Sequence, residues 1–185
     1  MPKSCTASPD EEDLQALLDK YDLQLPLVAK PIRGRGSQGV KVCRSLDELR
    51  AHLRDVLKTR SILEEFLSGA EATVAVMPPS PDRPDDEYWA MPLVARFNHA
   101  EGIAPYSGAV AVTANSRVVT TSARDEDAAA VEDVSRQCEQ VARLLRVRAP
   151  IRIDVRKQSD GAGAKFAIFD VNMKPVSGPF FAPAR

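Results

Sequence analysis

The alternation of apolar and polar residues is clearest near the C-terminal end of the chain. Apolar side chains occupy every second position of Ile151–Arg156, and a period of two is typical of a half-buried β-strand. A Gly-containing turn follows, and then a second apolar segment, Phe166–Val171, which is rich in aromatic and β-branched residues. Two strands joined by a short loop of this kind predict an antiparallel hairpin.

Three other segments show the helical spacing of apolar residues. The first follows the capping signature Ser8–Glu11 and is expected to stop before Pro26, the second begins at the capping box Ser45–Glu48, and the third runs from about Asp125 to Arg146. Their apolar stripes are Leu14, Leu17, Leu18 and Tyr21; Leu46, Leu49, Leu53 and Val56; and Val131, Val134, Cys138, Val141 and Leu145. Residues 1–7, ahead of the first helix, are predicted to be a frayed leader.

Short apolar segments between the helices predict further strands. They lie at 27–31, 40–43, 61–67, 72–77 and 89–97, with two more runs inside 109–121 that a turn at Asn115-Ser116 separates. The Pro-rich, acidic segment Pro78–Glu87 is predicted to be a loop.

Composition narrows the class of protein. The 185 residues are 44% hydrophobic and 28% charged, so the chain is expected to fold as one good-sized domain or two small lobes. A net charge of −1 gives no electrostatic argument for binding nucleic acid or a membrane surface, and no apolar run spans a bilayer. The cysteines, Cys5, Cys43 and Cys138, form no metal-binding or disulfide pattern, which favours a reducing compartment and a cytoplasmic location.

A glycine-rich loop follows the predicted strand that ends at Lys30. This loop, Gly34–Gly39, contains Gly36 and Ser37. Glycines let backbone N–H groups surround an anion and a serine adds a hydroxyl, so the loop is a candidate phosphate site. It is not a P-loop, because the G-K-[ST] sequence and a following helix are missing. The alternative is a flexible hairpin tip with solvated arginines.

Acidic and amide side chains gather on the C-terminal hairpin. Asp170 and Asn172 are two residues apart and therefore share a face of their strand, while Asp154 lies late in the preceding strand. The three side chains offer oxygen ligands without His or Cys, and such a set suits Mg²⁺. The alternative is a solvated face with incidental acids, which the hairpin taken alone favours.

The order of these motifs resembles the C-terminal part of an ATP-grasp enzyme, most closely of the D-alanine–D-alanine ligase branch. Five motifs carry the resemblance, which covers about residues 25 to 175. They are Lys30-Pro31; the loop Gly34–Gly39; Glu64-Glu65-Phe66-Leu67 with Gly69-Ala70-Glu71; Arg152-Ile153-Asp154; and Asp170-Val171-Asn172, with Pro175 close behind.

The resemblance implies an α+β fold in which two α/β lobes with mainly antiparallel sheets hold a nucleotide site between them. It divides the chain into a leader and helix at 1–24, a small lobe at 25–68 and a C-terminal lobe at 69–185. The implied roles are phosphate binding by Lys30, Gly36 and Ser37; adenine binding by Glu64, Glu65, Phe66 and Leu67; ribose binding by Glu71; Mg²⁺ binding by Asp154, Asp170 and Asn172; and catalysis by Arg152.

The implied activity is ATP- and Mg²⁺-dependent joining of a small carboxylate, of amino-acid or peptide type, to an amine through an acyl phosphate. The family's N-terminal domain and an upstream nucleotide lysine are missing, so a separate domain partner or a homo-oligomer is an open expectation. Asp170 stands where the family has Glu, and Tyr106 is the candidate remnant of a Tyr-Lys pair in the family's mobile loop. The alternative function is a truncated, non-catalytic nucleotide-binding module.

Overall fold

Ten strands and three α-helices lie within the residues that the structure, a computed structural model, describes: 1–34, 37–81, 87–103, 114–119, 127–161 and 163–173. The chain divides into two units, Met1–Ser68 with Arg96–Ser116, and Gly69–Ala95 with Arg117–Arg185. No helix within the described ranges is long and apolar enough to cross a membrane.

The first unit is built on an antiparallel sheet. Its strands are β1 (Ser4–Ala7), β2 (Leu27–Pro31), β3 (Lys41–Cys43) and β4 (Ser61–Glu65), in the order β1-β4-β2-β3. Two helices accompany it, α1 (Leu14–Lys20) and α2 (Leu46–Ala51), and α2 continues as a π-helical segment, His52–Leu57.

Alternation along the strands decides which face of this sheet is the core. Leu27 and Ala29 of β2 are fully buried together with Leu63 of β4 and leucines of both helices. Because successive strand residues point to opposite faces, Val28 and Lys30 belong to the other face. The helices thus cover one face of the sheet and leave Lys30 on the other.

The N-terminal expectations are wrong in two respects. Residues 4–7 are not a frayed leader but β1, which pairs with β4 from Ser4 opposite Glu64 to Ala7 opposite Ser61. The first helix begins at Leu14 and not near Ser8, because the Asp13 side chain caps it by accepting from the Ala16 N–H at 2.9 Å. Pairing with β4 gives residues 4–7 backbone hydrogen bonds that a frayed leader would lack. The Asp13 cap gives the helix a hydrogen bond that a start near Ser8 would lack.

The second unit contains the larger sheet. Its strands are β5 (Glu71–Met77), β6 (Trp89–Ala90), β7 (Val94–Arg96), β8 (Ser116–Val118), β9 (Ile151–Lys157) and β10 (Phe166–Asn172), in the order β10-β9-β5-β7-β8, with β6 also paired to β5. The strand predicted at 89–97 is therefore divided into two. Of the strands predicted within 109–121, residues 114–119 are described.

One long helix, α3 (Ala128–Leu144), packs on this sheet through most of its predicted apolar stripe, but Leu145, which was predicted to belong to the stripe, is exposed. Val134 and Cys138 are buried with Ile151, Ile153 and Val155 of β9. Burial raises the pKa of the Cys138 thiol to about 12, so this cysteine is a packed thiol and not a nucleophile. Two sheets with antiparallel pairings and few helices confirm the α+β class.

The predicted C-terminal hairpin is present, and it contains a bulge. Ile168 lies opposite Val155 while Asp170 lies opposite Asp154, so Phe169 is an extra residue in β10. In a regular strand Asp170 would share the core-facing side with Ile168. The bulge instead turns Asp170 and Asn172 to the side on which Asp154 lies.

Candidate functional site

In the first unit, Lys30 and Glu64 form an ion pair on the sheet face opposite the helices. The Lys30 Nζ lies 2.9 Å from one Glu64 carboxylate oxygen and 3.1 Å from the other. Side-chain exposure is 20% for Lys30 and 11% for Glu64, so each charge is largely removed from water and needs its partner. The structure thus brings together the predicted phosphate lysine and a predicted adenine residue.

The next residue of β4 does not join this pair. Glu65 follows Glu64 in the strand, so its side chain lies on the side of Leu63. Its carboxylate accepts from the Lys3 backbone N–H at 3.3 Å and lines a cavity of about 320 Å³ with Lys3, Asp22 and Phe66. Any contact of Glu65 with a ligand held by Lys30 would therefore involve its backbone.

For the other predicted residues of this unit, the structure shows packing or a turn, and two of them lie outside the described residues. The Leu67 side chain is buried, and the Phe66 ring lies 3.2 Å from the point where a Cβ on Gly102 would stand. Ser37 begins a turn that is closed by a bond from the Val40 N–H to the Ser37 carbonyl, at 3.2 Å. Gly36 and Tyr106 lie outside the described residues.

In the second unit, most of the predicted residues lie on one face of the sheet. Arg152, Asp154 and Arg156 alternate with the buried apolar residues of β9 and therefore share the face away from α3. Their neighbours across the strands are Asn172 opposite Arg152; Asp170 and Thr73 opposite Asp154; and Glu71 opposite Arg156. The result is a polar row from the predicted ribose acid to the predicted metal residues.

At one end of the row, Arg152 and the three predicted metal residues are in direct contact. The Arg152 guanidinium donates to both oxygens of Asp154 at 3.0 Å. The Asn172 amide donates to Asp154 at 3.0 Å and to Asp170 at 3.2 Å. The predicted set Asp154, Asp170 and Asn172 is therefore brought together beside the predicted catalytic residue.

The charges in this cluster suit a cation. Burial raises the pKa of the Asp154 carboxyl; Arg152 opposes that rise, while Asp170 and Glu71 add to it. Within the described residues no group of three or more His, Cys, Asp or Glu side chains is arranged to hold a metal. Asn172 turns its Nδ2 and not its oxygen toward the acids. The two carboxylates are a partial ligand set, which fits an ion such as Mg²⁺ that also takes phosphate oxygens.

At the other end of the row, Arg156 contacts both Glu71, the first residue of β5, and Gly69, which precedes that strand. One guanidinium nitrogen lies 3.6 Å from the Glu71 carboxylate, and Nε donates to the Gly69 carbonyl at 3.0 Å. Burial lowers the pKa of Arg156, while Glu71 and then Asp160 oppose that change. The sequence analysis missed Arg156, although its spacing of two from Asp154 was a signal that it shares the polar face.

Gly69 is enclosed so tightly that an added methyl group would not fit. A Cβ there would lie 2.4 Å from the Ser159 carbonyl oxygen and 2.6 Å from the Lys157 Cβ. We expect Gly69→Ala to lower the free energy of unfolding by about 1–3 kcal/mol, because backbone atoms would have to shift. Urea unfolding measures this, with Gly161→Ala as the matched control, since its nearest atom is at 3.5 Å. Equal stability of the two variants would contradict the tight packing.

A protein family and a curated protein are similar in sequence to this chain. The family described as D-ala D-ala ligase C-terminus matches residues 6–177. The chain belongs to this family. Among curated proteins, the D-alanine–D-alanine ligase of Aquifex aeolicus (strain VF5) is 39% identical over 56 residues, which are 29% of this chain and 19% of that protein.

Solved structures show that this member of the D-ala D-ala ligase C-terminus family has the ATP-grasp fold. D-alanine–D-alanine ligase from Bacillus anthracis complexed with ATP superposes with a TM-score of 0.64 at 21% identity, over 94% of this chain and 50% of that chain. An N5-carboxyaminoimidazole ribonucleotide synthetase in an ADP complex gives 0.69 at 16% identity, over 95% of this chain and 41% of that chain. The chain thus spans half or less of the length of these solved relatives.

Proposed function

We propose that this chain is the nucleotide-binding part of an ATP-dependent carboxylate–amine ligase. The observation that carries the proposal is the contact of Arg152, Asp154, Asp170 and Asn172 on one face of the β9–β10 hairpin. Membership of the D-ala D-ala ligase C-terminus family, and the ATP and ADP bound to two solved relatives, support it.

In this proposal, the predicted nucleotide residues bind ATP. Lys30 and the loop Gly34–Gly39, including Gly36 and Ser37, hold phosphates by charge and by backbone N–H groups. Glu64 accepts from the adenine amino group, and the backbone of Glu65, Phe66 and Leu67 lines the base. Glu71 accepts from ribose hydroxyls, and Arg156 beside it orients the Glu71 carboxylate.

The reaction requires that the substrates are positioned and that the negative charge on the phosphates is neutralised. The substrate carboxylate attacks the γ-phosphorus of ATP, ADP leaves, and an amine then displaces inorganic phosphate from the acyl phosphate. Asp154, Asp170 and Asn172 would hold Mg²⁺ together with ATP, and the ion would supply charge neutralisation at the phosphates. Arg152 donates to the oxygens that gain negative charge in the transition state. No protein nucleophile is needed.

The relatives of this chain support one class of substrate. The curated and solved relatives include D-alanine–D-alanine ligases, so we propose a small carboxylate and an amine of amino-acid or peptide type as substrates. The chain spans half or less of the length of these solved relatives. A separate N-terminal domain partner or a homo-oligomer is also part of the proposal.

A second candidate is a nucleotide-binding module without turnover. Asp170 is the observation that favours it, because this side chain is exposed and is one methylene shorter than the Glu expected there. A shorter ligand is less suited to bridging two metal ions. The module would bind ATP and release no ADP with any pair of substrates.

Binding of ATP is tested by thermal unfolding. At ATP about 100 times its dissociation constant, binding adds ~2.7 kcal/mol to the free energy of unfolding. For a chain of this length, that should raise the melting temperature by about 5–10 °C. ATP with EDTA should give a smaller shift, because the acids would then repel the phosphates. No shift with millimolar ATP and Mg²⁺ would refute both candidate functions.

A further inference from the structure

His52 is a buried polar side chain to which the proposed ATP chemistry assigns no role. It is 7% exposed and begins the π-helical segment, between the buried Leu49 and Leu53. An imidazole placed among leucines costs free energy unless it forms a hydrogen bond. A leucine at this position would continue the apolar stripe of α2, so the partner of His52 indicates why a histidine is there.

That partner is the glycine-rich loop. The His52 Nε2 lies 2.9 Å from the carbonyl oxygen of Gly39, the last residue of the loop Gly34–Gly39. A carbonyl oxygen only accepts hydrogen bonds, so Nε2 carries a proton and donates. The bond fixes the orientation of the peptide group between Gly39 and Val40, whose N–H in turn bonds to Ser37.

The same end of the loop is closely packed on two further sides. Gly39 has φ of 74°, and a Cβ there would lie 3.0 Å from Leu57 Cδ2 and 3.6 Å from Pro31. At the other end of the loop, a Cβ on Gly34 would lie 3.1 Å from the Pro31 ring. Both ends of the loop therefore lie against the residue that follows Lys30.

The π-helical geometry explains how two side chains reach Gly39. His52 and Leu57 are five residues apart, a spacing that places side chains on different sides of an α-helix. In a π-helix, hydrogen bonds join residues five apart, so the two side chains come to nearly the same side. The segment ends at Lys58, which has φ of 55° and whose N–H bonds to the Leu53 carbonyl at 2.9 Å.

We propose that His52 is a positioning residue for the phosphate loop. It holds the Gly39 peptide, so that the turn from Ser37 to Val40 is fixed before ATP arrives and less conformational entropy is lost on binding. The proposal rests on the proposed function, because it takes Gly34–Gly39 as the segment that binds the ATP phosphates. His52 itself touches neither substrate nor nucleotide in this scheme.

The test compares two substitutions and two ligands by titration calorimetry. His52→Leu suits the apolar surroundings but removes the donor, whereas His52→Gln keeps a donor. We expect His52→Leu to raise the dissociation constant of Mg·ATP about tenfold, the equivalent of ~1.4 kcal/mol. Adenosine, which has no phosphates, should bind with an unchanged constant, and His52→Gln should recover most of the ATP affinity.

Each outcome decides a different point. If wild-type chain does not bind ATP, the proposed function fails and the role of His52 fails with it. If wild type binds ATP and His52→Leu binds it equally well, or loses ATP and adenosine alike, the positioning role alone is refuted. Should His52→Leu not fold, Gly39→Ala disturbs the same peptide from the Leu57 side and should show the same selective loss of ATP affinity.

Discussion

Asp154→Asn is expected to abolish most of the Mg²⁺-dependent part of ATP binding. Asp154 is a buried acid of the polar row, and Arg152 and Asn172 both donate to it. Loss of partners around a metal ligand commonly costs 10- to 100-fold in affinity, so loss of a ligand should cost at least about 100-fold. Titration of ATP with and without Mg²⁺ measures this difference.

The same substitution should lower stability, because it leaves the Arg152 guanidinium without its carboxylate. Breaking a fully buried ion pair costs about 3–5 kcal/mol. Arg152 retains 29% side-chain exposure, so water offsets part of that cost, and we expect about 2 kcal/mol. Urea unfolding in the absence of nucleotide separates this effect from metal binding.

Asp170→Asn is the matched control, since it makes the same chemical change at an exposed position. Its stability should stay within about 0.5 kcal/mol of wild type, while the Mg²⁺-dependent part of ATP binding should still weaken. If both variants bind Mg·ATP like wild type, the acids form a solvated face and no metal site. If Asp170→Asn alone binds normally, Asp154 and Asn172 hold the ion without it.

Alternation predicted the hairpin that carries these acids, whereas their grouping as one set came from the family resemblance, and the bulge that brings them together was not predicted. Phe166 and Ile168 face the core, and the next core-facing residue is Val171. A step of three among positions that otherwise recur every two residues is the signature of an added residue, here Phe169. Such a step marks either a bulge or the end of a strand. The register with the partner strand distinguishes the two, and the apolar pattern of a single strand carries no information about that register.

The placement of Glu65 could have been predicted from the sequence. Glu64 and Glu65 are adjacent in a strand, so their side chains cannot share a face. If Leu63 is taken as a core residue, Glu65 lies on the core side of the strand and Glu64 on the other side. Motif resemblance grouped the two acids, whereas strand geometry separates them.

The N-terminal strand was beyond sequence reasoning for a different reason. Only four residues, Ser4–Ala7, form β1, and an alternation that short also occurs in irregular segments. The strand is ordered by its partner, since β1 pairs along its whole length with β4, from Ser4 opposite Glu64 to Ala7 opposite Ser61. Such long-range pairing leaves no local signal.

The second large effect is expected for Arg152→Ala, which should lower turnover much more than it lowers ATP binding. Arg152 donates to Asp154 and is placed to meet negative charge that grows on the transferring phosphoryl group. Interactions that strengthen only in the transition state affect kcat more than ground-state binding. By analogy with other preorganised donors, kcat for ADP release should fall about 10²- to 10³-fold.

The assay measures ADP release with a panel of amino acids and dipeptides as carboxylate and amine, with and without a family N-terminal domain supplied separately. Arg148→Ala is the control, because Arg148 is an exposed arginine of the same unit that precedes β9. Arg152→Lys keeps the charge but loses the bidentate contact with Asp154, and should recover only part of the rate.

If Arg152→Ala loses ATP affinity and rate in proportion, Arg152 acts through the metal cluster and not on the transition state. If wild type binds Mg·ATP but releases no ADP under any of these conditions, the non-catalytic module is the correct reading of the chain.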